Sequence, residues 1–414
     1  MPVNYKLDNL VRDLNSLGQV IRCEDQEIPI REDTFIAKGG MGVVYGNRER
    51  VLKFSPLGTY AEDEEKTGQN LQEVKVEYLG KGLLEMYSGE GKSTLFFNDP
   101  YDKRALTRVD NEEAALDALK GVEAVVNKNE LRFFKIKSGR IYTLCAVLDL
   151  ERVVGQSYED VLTSGVPIQP KDYLNFILQC TRARAKIARL GISHGDIKPN
   201  NILVQDDQTL KIIDLGLATF NDKKKLLRYK ERAVKNGHLL HEEDQGYDTI
   251  GGTIHYIAPE TLFQKGPWQK SDIYSLGALI HQTLAGKPPF SSENESVYFN
   301  HLGELSINQT LANLFYHEIM NNLIQKGYPT DIAVGVAMAI HPDPRKRKDR
   351  KLIKAAKKYL LSQGEGLPET IVIEDMKSLP TVGIKQIKSL PPPPVPLELD
   401  ETLLAEADFF IDKE

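Results

Sequence analysis

The chain has 414 residues, 53 basic and 59 acidic, for a formal net charge of −6. That length allows two or three average domains, and the charge gives no general affinity for nucleic acid. Three cysteines (Cys23, Cys145, Cys180) stand far apart, form no metal-ligand spacing, and read as reduced, buried side chains. No apolar run reaches membrane-spanning length, residues 332–340 being the nearest. The charge is uneven: residues 364–414 carry eleven acids and four bases, net −7, which leaves the first 363 near +1.

Residues 4–20 repeat apolar positions at helical spacing (Leu7, Leu10, Val11, Leu14, Leu17) and lack the apolar core of a signal peptide. The spacing predicts a helix packed on the lobe formed by the next part of the chain. Phe35-Ile36-Ala37-Lys38-Gly39-Gly40-Met41-Gly42-Val43-Val44-Tyr45 reads as strand, glycine turn, strand. Such a turn can bring backbone N–H groups over a polyphosphate, because glycine has no Cβ to obstruct the approach. An ordinary hairpin has the same pattern. In Arg50-Val51-Leu52-Lys53-Phe54 the lysine alternates with apolar residues, so its ammonium faces away from Leu52 and Phe54. Arg104-Ala105-Leu106-Thr107 is a rival for this strand, with Thr107 in the lysine's place. Direct succession to the glycine turn favours Lys53.

Residues 55–104 read as an insertion, charged and partly helical at 61–79, with strands of a hairpin at 74–78 and 93–97. Residues 111–119 predict a helix with Asp110 or Asn111 as N-cap, carrying Glu112 and Glu113. Two strands come next, 131–137 and 140–150, and then Glu151-Arg152-Val153-Val154-Gly155-Gln156-Ser157. A long helix at 171–190 leads to Ile192-Ser193-His194-Gly195-Asp196-Ile197-Lys198-Pro199-Asn200-Asn201-Ile202-Leu203. Here Asp, Lys and Asn stand at D-x-K-x-x-N spacing before an apolar strand. Asp214 lies across a β-hairpin from them, in Ile212-Ile213-Asp214-Leu215-Gly216. This set can hold a divalent metal on hard oxygens while Asp196 faces a hydroxyl.

Residues 221–248 run from a basic cluster (Lys223, Lys224, Lys225, Arg228) to acids (Glu242, Glu243, Asp244), a pattern that reads as a solvated insert. Beyond it stand three further blocks: Gly251-Gly252-Thr253-Ile254-His255-Tyr256-Ile257-Ala258-Pro259-Glu260, Lys270-Ser271-Asp272-Ile273-Tyr274, and Asp343-Pro344-Arg345-Lys346-Arg347. The tail holds Pro391 to Pro394, predicting a polyproline II segment, and an acidic, apolar end.

Taken in order, these motifs resemble those of eukaryotic-type Ser/Thr protein kinases over roughly residues 30–360. The resemblance implies an α+β, two-lobed fold: an N-terminal helical extension (1–30), a β-rich N-lobe (31–152) with its insertion, a mainly α-helical C-lobe (153–363), and a proline-containing acidic tail (364–414). It implies transfer of the ATP γ-phosphoryl to Ser or Thr of protein substrates with Mg²⁺. Ala37, Lys38, Gly39, Gly40, Met41, Gly42 and Val44 match the glycine-rich loop over ATP, with Ala37 replacing its first glycine. Lys53 matches the lysine on the α- and β-phosphates, and Glu112 its helix partner, with Glu113 and Glu73 as alternatives. Leu150, or Asp149 in a slipped register, guards the rear of the pocket, and Glu151 and Val153 border adenine. Asp196 is the expected general base, Lys198 neutralises the transferred group, and Asn201 and Asp214 hold the metal.

Further along, Thr253 is expected on Asp196 and Lys198, Asp272 on the backbone of the catalytic loop, and Arg347 on Glu260. Gly195 stands where the family usually has an arginine that pairs with a phosphorylated loop, which implies activity independent of that phosphate. The alternative is a catalytically weak pseudokinase acting as a scaffold. The tail is a candidate partner-binding segment. Its glutamate-rich end also resembles the export signals of bacterial type IV effectors, an alternative to a cytoplasmic location.

Overall fold

A computed structural model describes residues 7–23, 26–39, 42–61, 70–80, 83–88, 91–96, 100–138, 141–166, 168–221, 253–263, 269–290 and 295–362. Among them, residues up to Val154 form one compact unit and those from Gly155 a second. Gly40, Met41, the 222–252 stretch and the tail from 363 lie outside the described residues.

The first unit begins with α1 (Leu7–Leu17) and a small hairpin, β1 (Gln19–Cys23) and β2 (Gln26–Ile30). The main sheet comes next: β3 (Phe35–Gly39), β4 (Gly42–Gly46), β5 (Arg50–Ala61), β6 (Leu71–Gly80), β7 (Leu83–Ser88) and β8 (Gly91–Phe96). After α2 (Pro100–Ala118) it is completed by β9 (Lys128–Ser138) and β10 (Ile141–Glu151). Eight strands lie in the order β3-β4-β5-β10-β9-β6-β7-β8, every pair antiparallel. Asn47 makes the tight turn before β5 by accepting the N–H groups of Glu49 and Arg50, both at 2.9 Å, on its side chain.

Period-2 alternation splits this sheet into two faces. Val43, Tyr45, Leu52, Phe54, Phe134, Ile136, Cys145 and Val147 form one apolar layer with Leu10 and Leu14 of α1 and Ile21, Ile28 and Ile30 of the hairpin. The Tyr45 hydroxyl donates to Asn15 Oδ1 of α1 at 2.8 Å. Residues 1–30 are therefore more than a helical extension. Their second half is a hairpin, because after Gly18 (φ +56°) the apolar residues recur every second position. Together α1 and the hairpin bury one face of the sheet.

Three other expectations are corrected. Helix α2 starts at Pro100 and not at Asn111, so Asp110 and Asn111 lie within it and are buried instead of capping it. Proline suits a first helical turn, where its missing N–H costs nothing. Residues 71–80 are strand, as foreseen for 74–78, while the helical reading over Glu62 to Glu65 lies outside the described residues; β7 lies between the two foreseen strands, so the hairpin has three strands and not two. The insertion therefore extends the main sheet by three strands.

In the second unit β11 (Gln156–Ser157) and α3 (Tyr158–Thr163) precede α4 (Pro170–Arg189), which has proline in its first turn. Gly191 (φ +80°) ends that helix and turns the chain into β12 (Ile192–Ser193). Then come β13 (Ile202–Val204), β14 (Leu210–Ile212) and β15 (Thr219–Phe220); β11-β13-β14 form one small sheet and β12-β15 another. The remainder is helical: α5 (Pro259–Phe263), α6 (Gln269–Ala285), α7 (Glu295–Ile307), α8 (Gln309–Gln325), α9 (Thr330–Ala339) and α10 (Arg350–Ser362). The apolar run noted at 332–340 is the core helix α9, with Ile332, Ala333, Val336 and Ala337 fully buried. Helix α6 meets the C-terminal end of α9 at Gly277, where a Cβ would lie 2.6 Å from Ile340. No described helix is long and apolar enough to cross a membrane.

Candidate active site

In the first unit Ala37, Val44, Lys53 and Leu150, all expected around a nucleotide, share the second face of the sheet. Residues directly opposite on antiparallel strands point the same way. Ala37 faces Val44, Val44 faces Lys53, and Lys53 faces Leu148, so these four form one row across β3, β4, β5 and β10. Leu150, opposite Val51, stands two residues along on the same face. Asp149 points to the other, where its carboxylate takes bonds from Arg50 Nη1 (2.8 Å) and Asn129 Nδ2 (3.1 Å). The choice of Leu150 over Asp149 rests on this alternation.

Lys53 Nζ donates to both carboxylate oxygens of Glu112 on α2, at 2.7 and 2.9 Å. The lysine side chain is 12% exposed and the glutamate 5%. The alternatives are placed elsewhere. Glu113 pairs with Lys128, Glu73 is half exposed near Arg132, and Thr107 lies within α2. Lys38, expected on a ligand, turns its ammonium to Asp8 of α1 at 2.6 Å. Gly39 and Gly42 pair across the hairpin. Gly42 has a structural reason to be glycine: a Cβ would lie 2.4 Å from the Phe54 carbonyl oxygen. Glu151 accepts the backbone and side-chain N–H groups of Asn127, each at 3.1 Å, and Val153 is buried.

In the second unit Asp196 gathers the other expected residues. Its Oδ1 accepts from the N–H (3.1 Å) and hydroxyl (3.2 Å) of Thr253. Its Oδ2 accepts from Asn201 Nδ2 at 3.0 Å and lies 3.1 Å from Lys198 Nζ. The Asn201 amide also donates to the Asp196 backbone carbonyl at 2.8 Å, which turns Oδ1 of Asn201 away from Asp196. Asp214 comes just after β14 with φ +59°, a left-handed conformation uncommon for a residue with a Cβ. One of its oxygens accepts the Gly216 N–H at 3.4 Å.

The loop that carries Asp196 is fixed from below. Asp272 of α6 accepts the backbone N–H of His194 at 2.8 Å and of Gly195 at 3.0 Å. Burial pushes the Asp272 carboxyl up from its ordinary range, and these two N–H groups offset part of that rise. Gly195 has φ +85°, which glycine adopts without strain. It is a turn of the loop. Arg347, with 0% exposure, donates to Glu260 at 2.5 and 2.7 Å and to the carbonyls of His341, Pro342 and Lys270.

Sequence reasoning missed Lys128, Asn127 and the Arg50–Asp149 pair. Alternation alone identifies Arg50 and Lys53 as charges within apolar strands, and nothing in spacing ties Lys128 to α2.

Residues 111–352 match the protein kinase domain family. Relatives include the serine/threonine-protein kinase PrkC of Bacillus subtilis, 29% identical over 44% of this chain and 26% of its own length. The serine/threonine-protein kinase ksg1 of Schizosaccharomyces pombe is 35% identical over 28% of this chain and 19% of its own. The human 3-phosphoinositide-dependent protein kinase 1 is 35% identical over 28% and 18%. The chain thus spans about a quarter or less of the length of these relatives. The family match begins one residue before Glu112, so the glycine turn and Lys53 lie ahead of it and are tied to it by the Lys53–Glu112 pair. With more than half its length matched and an α+β architecture of sheet-rich and helical units, the chain belongs to the protein kinase family.

Proposed function

We propose that this chain is a serine/threonine kinase that moves the γ-phosphoryl of ATP to a protein hydroxyl. The observation that carries the proposal is the Lys53–Glu112 ion pair, because it supports Lys53 in the phosphate-contacting role and weakens the case for a scaffold. The named relatives, all protein kinases and two of them serine/threonine kinases by name, and Lys198 at its position support the Ser/Thr class.

The donor set fits Mg²⁺. The metal takes few protein ligands and keeps waters and phosphate oxygens, so an amide oxygen from Asn201 and a carboxylate from Asp214 suffice. When bound, Mg²⁺ supplies charge neutralisation on the β- and γ-phosphates. Lys53, oriented by Glu112, holds the α- and β-phosphates. Ala37, Val44 and Leu150 give the same face an apolar surface for adenine, and the backbone of Glu151 and Val153 borders it. Asp196 accepts the proton of the attacking hydroxyl. Lys198 compensates the charge of the moving phosphoryl. Thr253 and Asn201 hold the Asp196 carboxylate so that no reorganisation is needed when the hydroxyl arrives. Residues 31–152 act as the nucleotide lobe and 153–363 as the acceptor lobe.

The test is transfer from radiolabelled ATP to a basic protein substrate by wild type and Asp196→Ala. We expect phosphoserine or phosphothreonine with the wild type alone. Equal incorporation by both would leave the scaffold reading. Label on a small hydroxylated metabolite with proteins unlabelled would make this a kinase of another substrate class.

A further inference from the structure

Glu112 is followed on α2 by a second buried glutamate, Glu113, only 2% exposed. Consecutive helical residues point about 100° apart, so the two side chains leave the helix in different directions. Glu112 reaches Lys53 on β5, and Glu113 reaches Lys128, the first residue of β9, at 2.8 Å. The Lys128 ammonium also lies 2.8 Å from Asp117, one turn further along α2 on the Glu113 side. Its side chain is 8% exposed. On the sheet Lys128 is paired with Leu150, and the preceding Asn127 bonds Glu151 through its N–H, its amide and its carbonyl.

We propose that Lys128 is a positioning residue for phosphoryl transfer: by holding Glu113 and Asp117 it fixes the rotation of α2 at which Glu112 meets Lys53. This rests on the kinase reading above. A helix held at one carboxylate can pivot about that contact. Held at two azimuths by lysines from two strands, it cannot turn Glu112 away from Lys53 without also drawing Glu113 from Lys128. That motion separates two buried charge pairs at once, and neither regains water. The clamp lies wholly within the first unit, so α2 keeps its working position without a phosphate elsewhere in the chain. Gly195, in place of the arginine that would read such a phosphate, is consistent with that arrangement. The Lys128–Leu150 and Asn127–Glu151 contacts extend the clamp to the residues assigned to the adenine side.

The test is the Lys128→Met variant of the full chain. Turnover should fall roughly tenfold to a hundredfold, the scale of misplaced catalytic groups. The KM for the protein acceptor should stay within about twofold, because Lys53 and Glu112 address the nucleotide. Amides of residues 105–118 should exchange faster with solvent. Taking the Lys128 charge from buried Glu113 also destabilises the unit, so Lys128→Met is combined with Glu113→Gln. The double variant should regain thermal stability without regaining turnover or α2 protection. Wild-type turnover in the double variant, or unchanged α2 exchange in Lys128→Met, would overturn the proposal. If the wild type itself transfers no phosphoryl, the kinase reading falls. The clamp is then judged by α2 exchange and calorimetric Mg-ATP affinity, and no change in either for Lys128→Met overturns it.

Discussion

Lys53 in the first unit is placed by an ion pair with a helix, whereas Asp196 in the second is placed by a loop whose backbone is itself held. Glu112 reaches Lys53 from 59 positions away, and its position depends on where α2 sits. Asp196 takes bonds from Thr253 and Asn201, while Asp272 grips the N–H groups of the two residues before it. A buried charge pair between movable elements is an adjustable device. A loop tied through backbone amides is a fixed one. Alignment in the first unit therefore depends on a second contact, the Lys128 clamp on α2, whereas the second unit carries parts that stay in place unless the fold is lost.

Substitutions can break or sharpen this contrast. The largest effect is expected from Lys53→Met. It removes the cation from the sheet, and turnover should drop on the order of a hundredfold or more; buried Glu112 is left without Lys53, so the melting temperature should fall as well, by less than the loss of activity requires. In the second unit Arg347→Ala should act on the fold. Stranding Glu260 beneath the helices costs ~3–5 kcal/mol, to be read from urea unfolding, and activity should fall in step with the folded fraction.

Acid should separate the units next. Burial holds His281 down at about 4 from its ordinary 6.5; its Nδ1 lies 3.0 Å from the Lys287 carbonyl, and its buried Nε2 has no partner among the described residues. His341 is likewise down at about 4, through burial and the nearby Lys346. Between these values the unfolded chain binds more protons than the folded one. Stability is thus full above about 6.5 and is lost as pH falls toward 4. Each histidine contributes at most ~3 kcal/mol. A His281→Gln variant should show a shallower acid loss in urea titrations at a series of pH values.

Smaller effects test the glycine turn. Gly42→Ala drives a methyl against the Phe54 carbonyl and should cost about 1–3 kcal/mol, whereas a Cβ at Gly39 meets nothing within 4 Å and Gly39→Ala should stay within ~0.5 kcal/mol. Least of all, Asp8→Ala breaks an exposed pair with Lys38 worth about 0–1 kcal/mol. Thermal melts of the three variants order them.

Legibility in the chain divides along the same line. The Asp196, Lys198 and Asn201 set was legible because one continuous loop delivers all three, and Asp214 lies one hairpin away. Asp272 and Arg347 were legible for a related reason, since each belongs to a compact block whose partner is a fixed loop or a single glutamate. In the first unit, alternation put Lys53 on the sheet face away from Leu52 and Phe54, where the strand register has it. Glu112 was preferred but Glu113 and Glu73 stayed open, because the choice depends on the rotation of a helix whose start was misplaced by eleven residues. The hairpin at 19–30 was hidden by the stronger helical periodicity before it, and the Lys128 clamp by being a tertiary contact between a strand end and a helix.

With α2 clamped inside the first unit, the machinery stands assembled without a phosphate elsewhere in the chain. The most direct measurement is the initial rate of phosphoryl transfer after exhaustive phosphatase treatment, beside untreated protein and Asp196→Ala. Treated and untreated protein should show equal rates, without a lag, and Asp196→Ala none. A treated protein as inactive as Asp196→Ala, recovering only as label enters its own chain, would contradict it.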